Sequence, residues 1–266
     1  MLRSLRLMGL FARVSVQNFA AYRFDLVTRL FVSVMHLLGE LIAVWTIFHN
    51  TKTLNGWRWQ HMLVLVGVFR IIAGGIRMSI VPNMRKVLED IHQGTLDFVL
   101  LRPVNSQWLV SIRQFVIWRV SDVILGAAVA VYGCVKLIGH VPPVQALVFV
   151  AMLAAGFVIV YSVWLMLATL CFWFVRIQNI EMIFWNVFEA GRYPIVIYRP
   201  WVQWVLTFIL PLAFITTFPA GELIGDPHIG VPAAAPIYAL LIAAGTLGLS
   251  AWFWRFGLRH YSGASA

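Results

Sequence analysis

Three ionisable side chains interrupt stretches that are otherwise apolar: Glu40, Arg70 and Arg77. A charge held at membrane depth costs roughly 2.5–3.5 kcal/mol on insertion scales, so such residues pair with one another or face a polar cavity. Glu40 and Arg70 each lie fifteen residues from a polar turn centred near Asn55. An antiparallel hairpin of two helices then places them at matching depth. Arg77 lies seven residues further on, near the same face, and His36 lies one turn from Glu40. The Glu40–Arg70 pair reads either as part of a polar path through the membrane or as a structural ion pair that holds the hairpin.

Other chemistry is thinly supplied. Cys134 and Cys171 both sit inside apolar runs and read as small core residues, not as a disulfide or a metal site. The seven histidines never meet cysteine at ligand spacing. The phosphate-cradling pattern G-x-x-x-x-G-K-[ST] has no counterpart, because the chain contains no Gly-Lys dipeptide. No cofactor is expected on this chain. A membrane enzyme would need His, Asp or Glu converging at one face, and the ten acidic residues are dispersed.

The elements that must position Glu40 and Arg70 follow from composition. The 266 residues are 61% hydrophobic and 11% charged, with mean hydropathy +0.86. Soluble domains carry roughly a quarter charged residues. The expected fold is an all-α polytopic membrane protein in one domain, with six spans near 30–48, 61–81, 116–138, 144–175, 202–218 and 237–254. Residues 1–27 alternate basic and apolar side chains and read as an amphipathic helix in the membrane plane. Pro211 predicts a kink in the fifth span. Tryptophans near span ends, among them Trp45, Trp57, Trp59 and Trp254, suggest an interfacial belt. Gly126/Ala130 and Ala244/Gly248 have the small-xxx-small spacing of close helix packing.

Six spans put both termini on one side. With the amino terminus inside, 16 Lys and Arg fall on that side and 3 on the other, which makes both termini cytoplasmic by the positive-inside rule. The net charge of +10 is then a property of cytoplasmic loops and not a nucleic-acid footprint.

The chain is organised around residues 82–104, PNMRKVLEDIHQGTLDFVLLRPV, a charged island between the second and third spans. Met84, Val87, Leu88 and Ile91 recur at one-face helical spacing, with Glu89 and Asp90 among the polar residues. Asn83 can cap the start and Gly94 close the end. Such a helix lies on a membrane surface, fits a partner's groove, or is a solvated loop helix with one apolar side.

The stretch that follows carries Gly94, Leu96, Asp97, Leu100, Leu101, Arg102, Pro103 and Val104. This resembles the G-x-L-D-x-x-L-L-R-P-V signature of permease subunits of ATP-binding-cassette transporters, in a bacterial six-span branch of the type-2 exporter class. Two further patches match in order: FEAGRYPI at 188–195 with Tyr198, and LPLAFITTFP at 210–219. The resemblance implies a multi-pass subunit of the cell (inner) membrane working with two separate ATPase subunits, which would hold ATP and magnesium. It also implies a second permease chain, identical or homologous. Met84–Gln93 becomes the ATPase-coupling helix, its apolar face docked in the ATPase. Asp97 and Arg102 either touch that partner or cap and anchor the helix junction. The competing class is a secondary transporter or channel that needs no ATPase; it would usually show repeated halves, and no internal repeat is visible. Nothing in the sequence selects the substrate.

Overall fold

The computed structural model describes residues 23–139, 141–173 and 180–261; the amphipathic helix expected at 1–27 lies almost wholly outside them. Among the described residues the regular structure is helical. Helix α1 is Arg23–Asn50, α2 is Trp59–Gly75, and α3 is Val81–His92. Two short helices follow, α4 (Asp97–Leu100) and α5 (Ser106–Ser111). The long α6 (Val120–Ile138) and α7 (Pro143–Thr169) precede α8 (Ile180–Phe188). The chain ends with α9 (Pro200–Trp204), α10 (Phe218–Ile224) and α11 (Ala235–Leu258). Five helical stretches are long and apolar enough to cross a membrane, and a further pair qualifies only if its bent halves are joined.

The second stretch sets the frame. Residues Trp59–His92 form one 34-residue rod, about 50 Å at ~1.5 Å per residue, against a hydrocarbon core of ~30 Å. The helix expected over Met84–Gln93 is therefore not a separate surface helix but the projecting end of the second span. A proline at position 82 would normally break such a rod. Here a π-helical segment, Ile76–Ile80, precedes it. The Met78 carbonyl, which Pro82 cannot serve in an α-helix, accepts the Val116 N–H at 2.8 Å. Asn83 is thus not an N-cap. Its buried amide donates to the Ser79 and Gln114 carbonyls (2.6 and 2.8 Å) and accepts the Gln114 N–H, strapping the rod to the segment before α6. Gly94, at φ +68°, ends the helix as expected, in a conformation that favours glycine.

Helices α2 and α6 pack closely because both are lined with small residues. A Cβ added at Gly67 would stand 2.5 Å from the Gly126 carbonyl and 2.7 Å from the Ala130 Cβ. Gly248, by contrast, has nothing of this chain within 4 Å of such a Cβ, so that second small-residue pair packs nothing here. Trp57 and Trp254, expected in the interfacial belt, are buried core residues.

The bend expected at Pro211 is present, but it is far sharper than a kink. Instead of one kinked helix over 202–218, Pro200–Ile209 and Ala213–Ile224 are two halves bent by 77°. The neighbours of the preceding segment show where the crossing is made. Glu181 pairs with Arg85, Trp185 lies under Arg77, and Phe188 stacks on Phe69. Arg192 then approaches Glu40, and the Val196 carbonyl accepts from Asn55 Nδ2. Residues 180–198 therefore climb alongside the rod from its projecting end to the Asn50–Trp59 turn. The bent pair dips from that far face and returns to it. Ile215 abuts Gly156 at the midpoint of α7, and Gln145, at the start of α7, donates to the Glu222 carbonyl. Helix α11 then runs back parallel to α7, where Gly257 meets Thr169. The long apolar helices alone number five; with the climb of residues 180–198 taken as the fifth crossing, the described residues make six passages, the fifth earlier in the chain than its hydropathy suggests.

A cysteine placed at Arg199 should accordingly react with an impermeant thiol reagent from the same side as one at Asn55, and opposite to one at Arg102. Labelling of Arg199 from the Arg102 side would overturn this route. For the helix contact, Gly67→Val should lower the yield of folded, monodisperse protein, since overpacking costs about 1–3 kcal/mol, whereas Gly248→Val should leave it unchanged.

Candidate functional site

The described chain encloses a cavity of about 770 Å³ between α1, α2, the start of α6 and residues 189–192. Its centre is Arg70, which is 6% exposed. One guanidinium nitrogen bonds Glu40 at 3.0 Å. The other reaches Asp122 at 3.1 Å and the Ser33 carbonyl and hydroxyl at 3.0 and 3.1 Å. The Ser33 hydroxyl donates to the same Asp122 oxygen. The second Asp122 oxygen takes Arg119 at 3.1 Å. Arg192 bonds Glu189 at 2.6 Å and approaches Glu40 to 3.7 Å.

Glu40 and Arg70, equidistant from Asn55 in the sequence, are thus joined in the structure. It adds four residues that the sequence reading passed over: Ser33, Arg119, Asp122 and Arg192. Asp122 had a usable signal, because it lies within the third apolar run with Arg119 three residues before it. Arg192 lies in the 188–195 patch that carries the family resemblance, but nothing in the sequence directed it to the membrane interior, because this stretch reads as a second amphipathic segment on the basic side. Arg77 stays out of the ion-pair network; its guanidinium stacks 4.3 Å from the Trp185 ring. His36 lines the cavity. Among the described residues no group of His, Cys, Asp or Glu is arranged to hold a metal ion.

The residues expected to couple to a partner sort differently from their helical pattern. Met84 and Val87 are buried in one core cluster with Leu96, Leu109 and Val110, and Leu88 and Ile91 pack partly against it. The apolar face expected to dock in an ATPase is covered by the chain's own α4–α5 return. The reason is local geometry: the turn at Gly94 folds the motif back over that face. Asp90 fixes the turn, holding Arg113 at 2.7 Å, Lys86 at 3.2 Å and the Thr95 hydroxyl at 3.1 Å. Glu89 and Arg85 remain outward, the latter bonded to Glu181 at 2.6 Å.

Within the motif, Leu96 and Val99 are buried and Leu100 packs beneath them. Asp97 opens α4 near the end of α11, where burial and the Asp97 carboxylate push the Tyr261 phenol up. Phe98 on α4 and Leu101 just after it are 70% and 81% exposed; Arg102 and Pro103 are also exposed. A braced hairpin therefore presents two large apolar side chains at the projecting tip.

Residues 34–265 match the family model described as ABC-2 family transporter protein, and the chain belongs to that family. No curated protein matches it. It is accordingly a multi-pass membrane protein and the membrane subunit of a transporter.

Because Arg70 serves two carboxylates, Arg70→Gln should be the most damaging single change in the cavity, about 3–5 kcal/mol as for breaking a buried pair. Glu40→Gln should cost less, since Asp122 still partners Arg70. Glu40→Gln combined with Arg70→Gln should retain more folded protein than Arg70→Gln alone. Thermal unfolding of the four proteins in detergent reads this directly; strictly additive losses would show that the two residues are not coupled.

Proposed function

We propose, for a chain that belongs to the ABC-2 transporter family, that it forms half of the translocation path of an ATP-driven exporter. Two separate ATPase subunits would hold ATP and magnesium, and a second permease, identical or homologous, would complete the path. The excess of Lys and Arg on the face of the projecting tip supports a cytoplasmic assignment for that face and for both termini, in a cell (inner) membrane. The fifth passage moves Arg192 into the interior and Arg199 to the far face, which reduces the bias without reversing it.

The observation that carries this reading is the rod Trp59–His92. One continuous helix holds Arg70 at the cavity and supports the Phe98/Leu101 tip beyond the membrane. A displacement of the tip by a closing ATPase would reach the cavity through that rod, with the π-segment at Ile76–Ile80 as the place where it can flex. Two exposed apolar anchors followed directly by the exposed Arg102 also have the make-up of a partner-binding hot spot with a polar edge. The exposed apolar face of α1, including Phe31, Met35 and Ile42, would meet lipid or the second permease.

Phe98→Asp or Leu101→Asp should weaken association with the ATPase by about 30-fold or more, the scale of a hot-spot residue, while the permease still inserts. Met84→Asp should instead lower the yield of the permease itself, because it buries an unpaired charge. Copurification of an ATP-hydrolysing partner, with transport in vesicles, separates the two effects. Unchanged association and transport in both tip variants would remove the tip from the coupling role.

A further inference from the structure

Helix α11 has two unlike faces. Ala239, Ala243, Ser250, Trp254 and Gly257 are buried, on the side that packs against α7. Outward, Leu241, Gly245, Gly248, Trp252, Arg255 and Arg259 follow one another at alternating four- and three-residue steps, the spacing of a single seam along a helix. All six are exposed. Nothing of this chain lies within 4 Å of a Cβ built at Gly245 or Gly248, so the middle of the seam is a shallow open trough between Leu241 and Trp252.

The trough ends in a charged aromatic shelf. Trp252 stacks on Phe256, with ring centroids 5.7 Å apart and planes 13° apart. Phe256 and His260 both lie against Trp173 at the end of α7 (5.8 and 5.6 Å). Arg255 and Arg259 stand one turn apart beside these rings. Neither has an ion-pair partner among the described residues, and no acidic residue follows Asp226 in the chain. This end of α11 lies on the tip side, where Tyr261 adjoins Asp97 of α4. Gly248 lies about 10 Å deeper than Arg255 at ~1.5 Å per residue, which is the relation of an acyl chain to its headgroup.

Charge decides what covers the seam. Two copies of the chain share one orientation in a membrane, so a two-fold contact here would set Arg255 and Arg259 against the same arginines of the copy, a like-charge juxtaposition. A lipid of the tip-side leaflet supplies what the seam lacks. Its tail fills the trough, and an anionic headgroup stands at the interfacial depth that tryptophan and arginine favour. We propose that the outer seam of α11 binds an anionic phospholipid of that leaflet, its phosphate between Arg255 and Arg259 and one acyl chain over Gly248 and Gly245. The site is separate from the charged cavity and does not rest on the exporter reading.

The test uses the full chain purified in detergent without any ATPase. Retention of dioleoylphosphatidylglycerol is measured by native mass spectrometry and by the melting shift it produces. It is compared with dioleoylphosphatidylcholine, which has the same tails, and with glycerol 3-phosphate, which has none. The expected result is selective retention of phosphatidylglycerol, reduced about fivefold in Arg255→Gln or Arg259→Gln and further in the double variant, the scale of one basic side chain at an anionic surface. Arg255→Lys and Arg259→Lys should keep most of it. Gly248→Val fills the trough and should lower retention with the lipid-free melting temperature unchanged. Lipid-free melting of every variant checks that the fold is intact. Equal retention of phosphatidylcholine, undiminished retention in the double Gln variant, or glycerol 3-phosphate binding as tightly as the lipid would each overturn the proposal. So would near-complete disulfide-linked dimer from Gly248→Cys in membranes, which would show a second copy on the seam.

Discussion

The structure depends on the cost of placing Arg70 at membrane depth. An isolated charge there is unfavourable by several kcal/mol, and Arg70 cannot shed its proton. It must instead be surrounded by acceptors. Those acceptors come from three directions: Glu40 and Ser33 on α1, and Asp122 at the start of α6. Arg119 and Arg192 then balance the second carboxylate oxygens. One buried cation thereby fixes the relative depth of α1, α2 and α6 and draws in residues 189–192. Without it α1 would have little reason to hold its position, since few of its apolar side chains are buried in this chain.

The second constraint is continuity. Keeping α2 and α3 in one helix across Pro82 requires another donor for the freed Met78 carbonyl, and Val116 provides it. The same segment gives Gln114 to Asn83 and Arg113 to Asp90. The chain between α5 and α6 therefore works as a splint along the rod. Cavity and tip are held by one element and braced by another, which is what any mechanical link between them would need.

Much of this was legible in the sequence because it rests on patterns longer than any local irregularity. Sustained apolar runs gave the four long passages besides the rod, and symmetric spacing about Asn55 gave the Glu40–Arg70 pair. The motif after Gly94 indicated the family on residues that the fold then uses in distinct ways: Leu96 inward, Leu101 outward. What misled was the amphipathic stripe at Met84–Ile91. Helical periodicity reveals that one face is covered but not by what, and a return loop covers it as well as a partner would. Asp122 stood out in its apolar run, but no symmetric turn ties it to Arg70 as Asn55 ties Glu40, and Arg192 lay in a stretch that reads as an amphipathic segment on the cytoplasmic side.

The fifth passage shows why composition failed there. Residues 180–198 are a short helix, two 3₁₀ turns and a proline, too irregular to stand alone in hydrocarbon, where each unsatisfied backbone group costs several kcal/mol. The irregularity is tolerated because the groups are served from within the protein. Thr217 accepts the Ile195 N–H, the Tyr198 hydroxyl donates to the Ala190 carbonyl, and Gln203 donates to the Tyr198 carbonyl. Asn55 donates to the Val196 carbonyl from the far turn. Two of these partners, Gln203 and Thr217, belong to the bent pair, so its fold back on itself has a structural reason: it supplies polar side chains to an irregular stretch of backbone. The stretch with the strongest apolar signal is thus the support, while the weaker stretch before it makes the passage and brings Arg192 to the wall of the charged cavity.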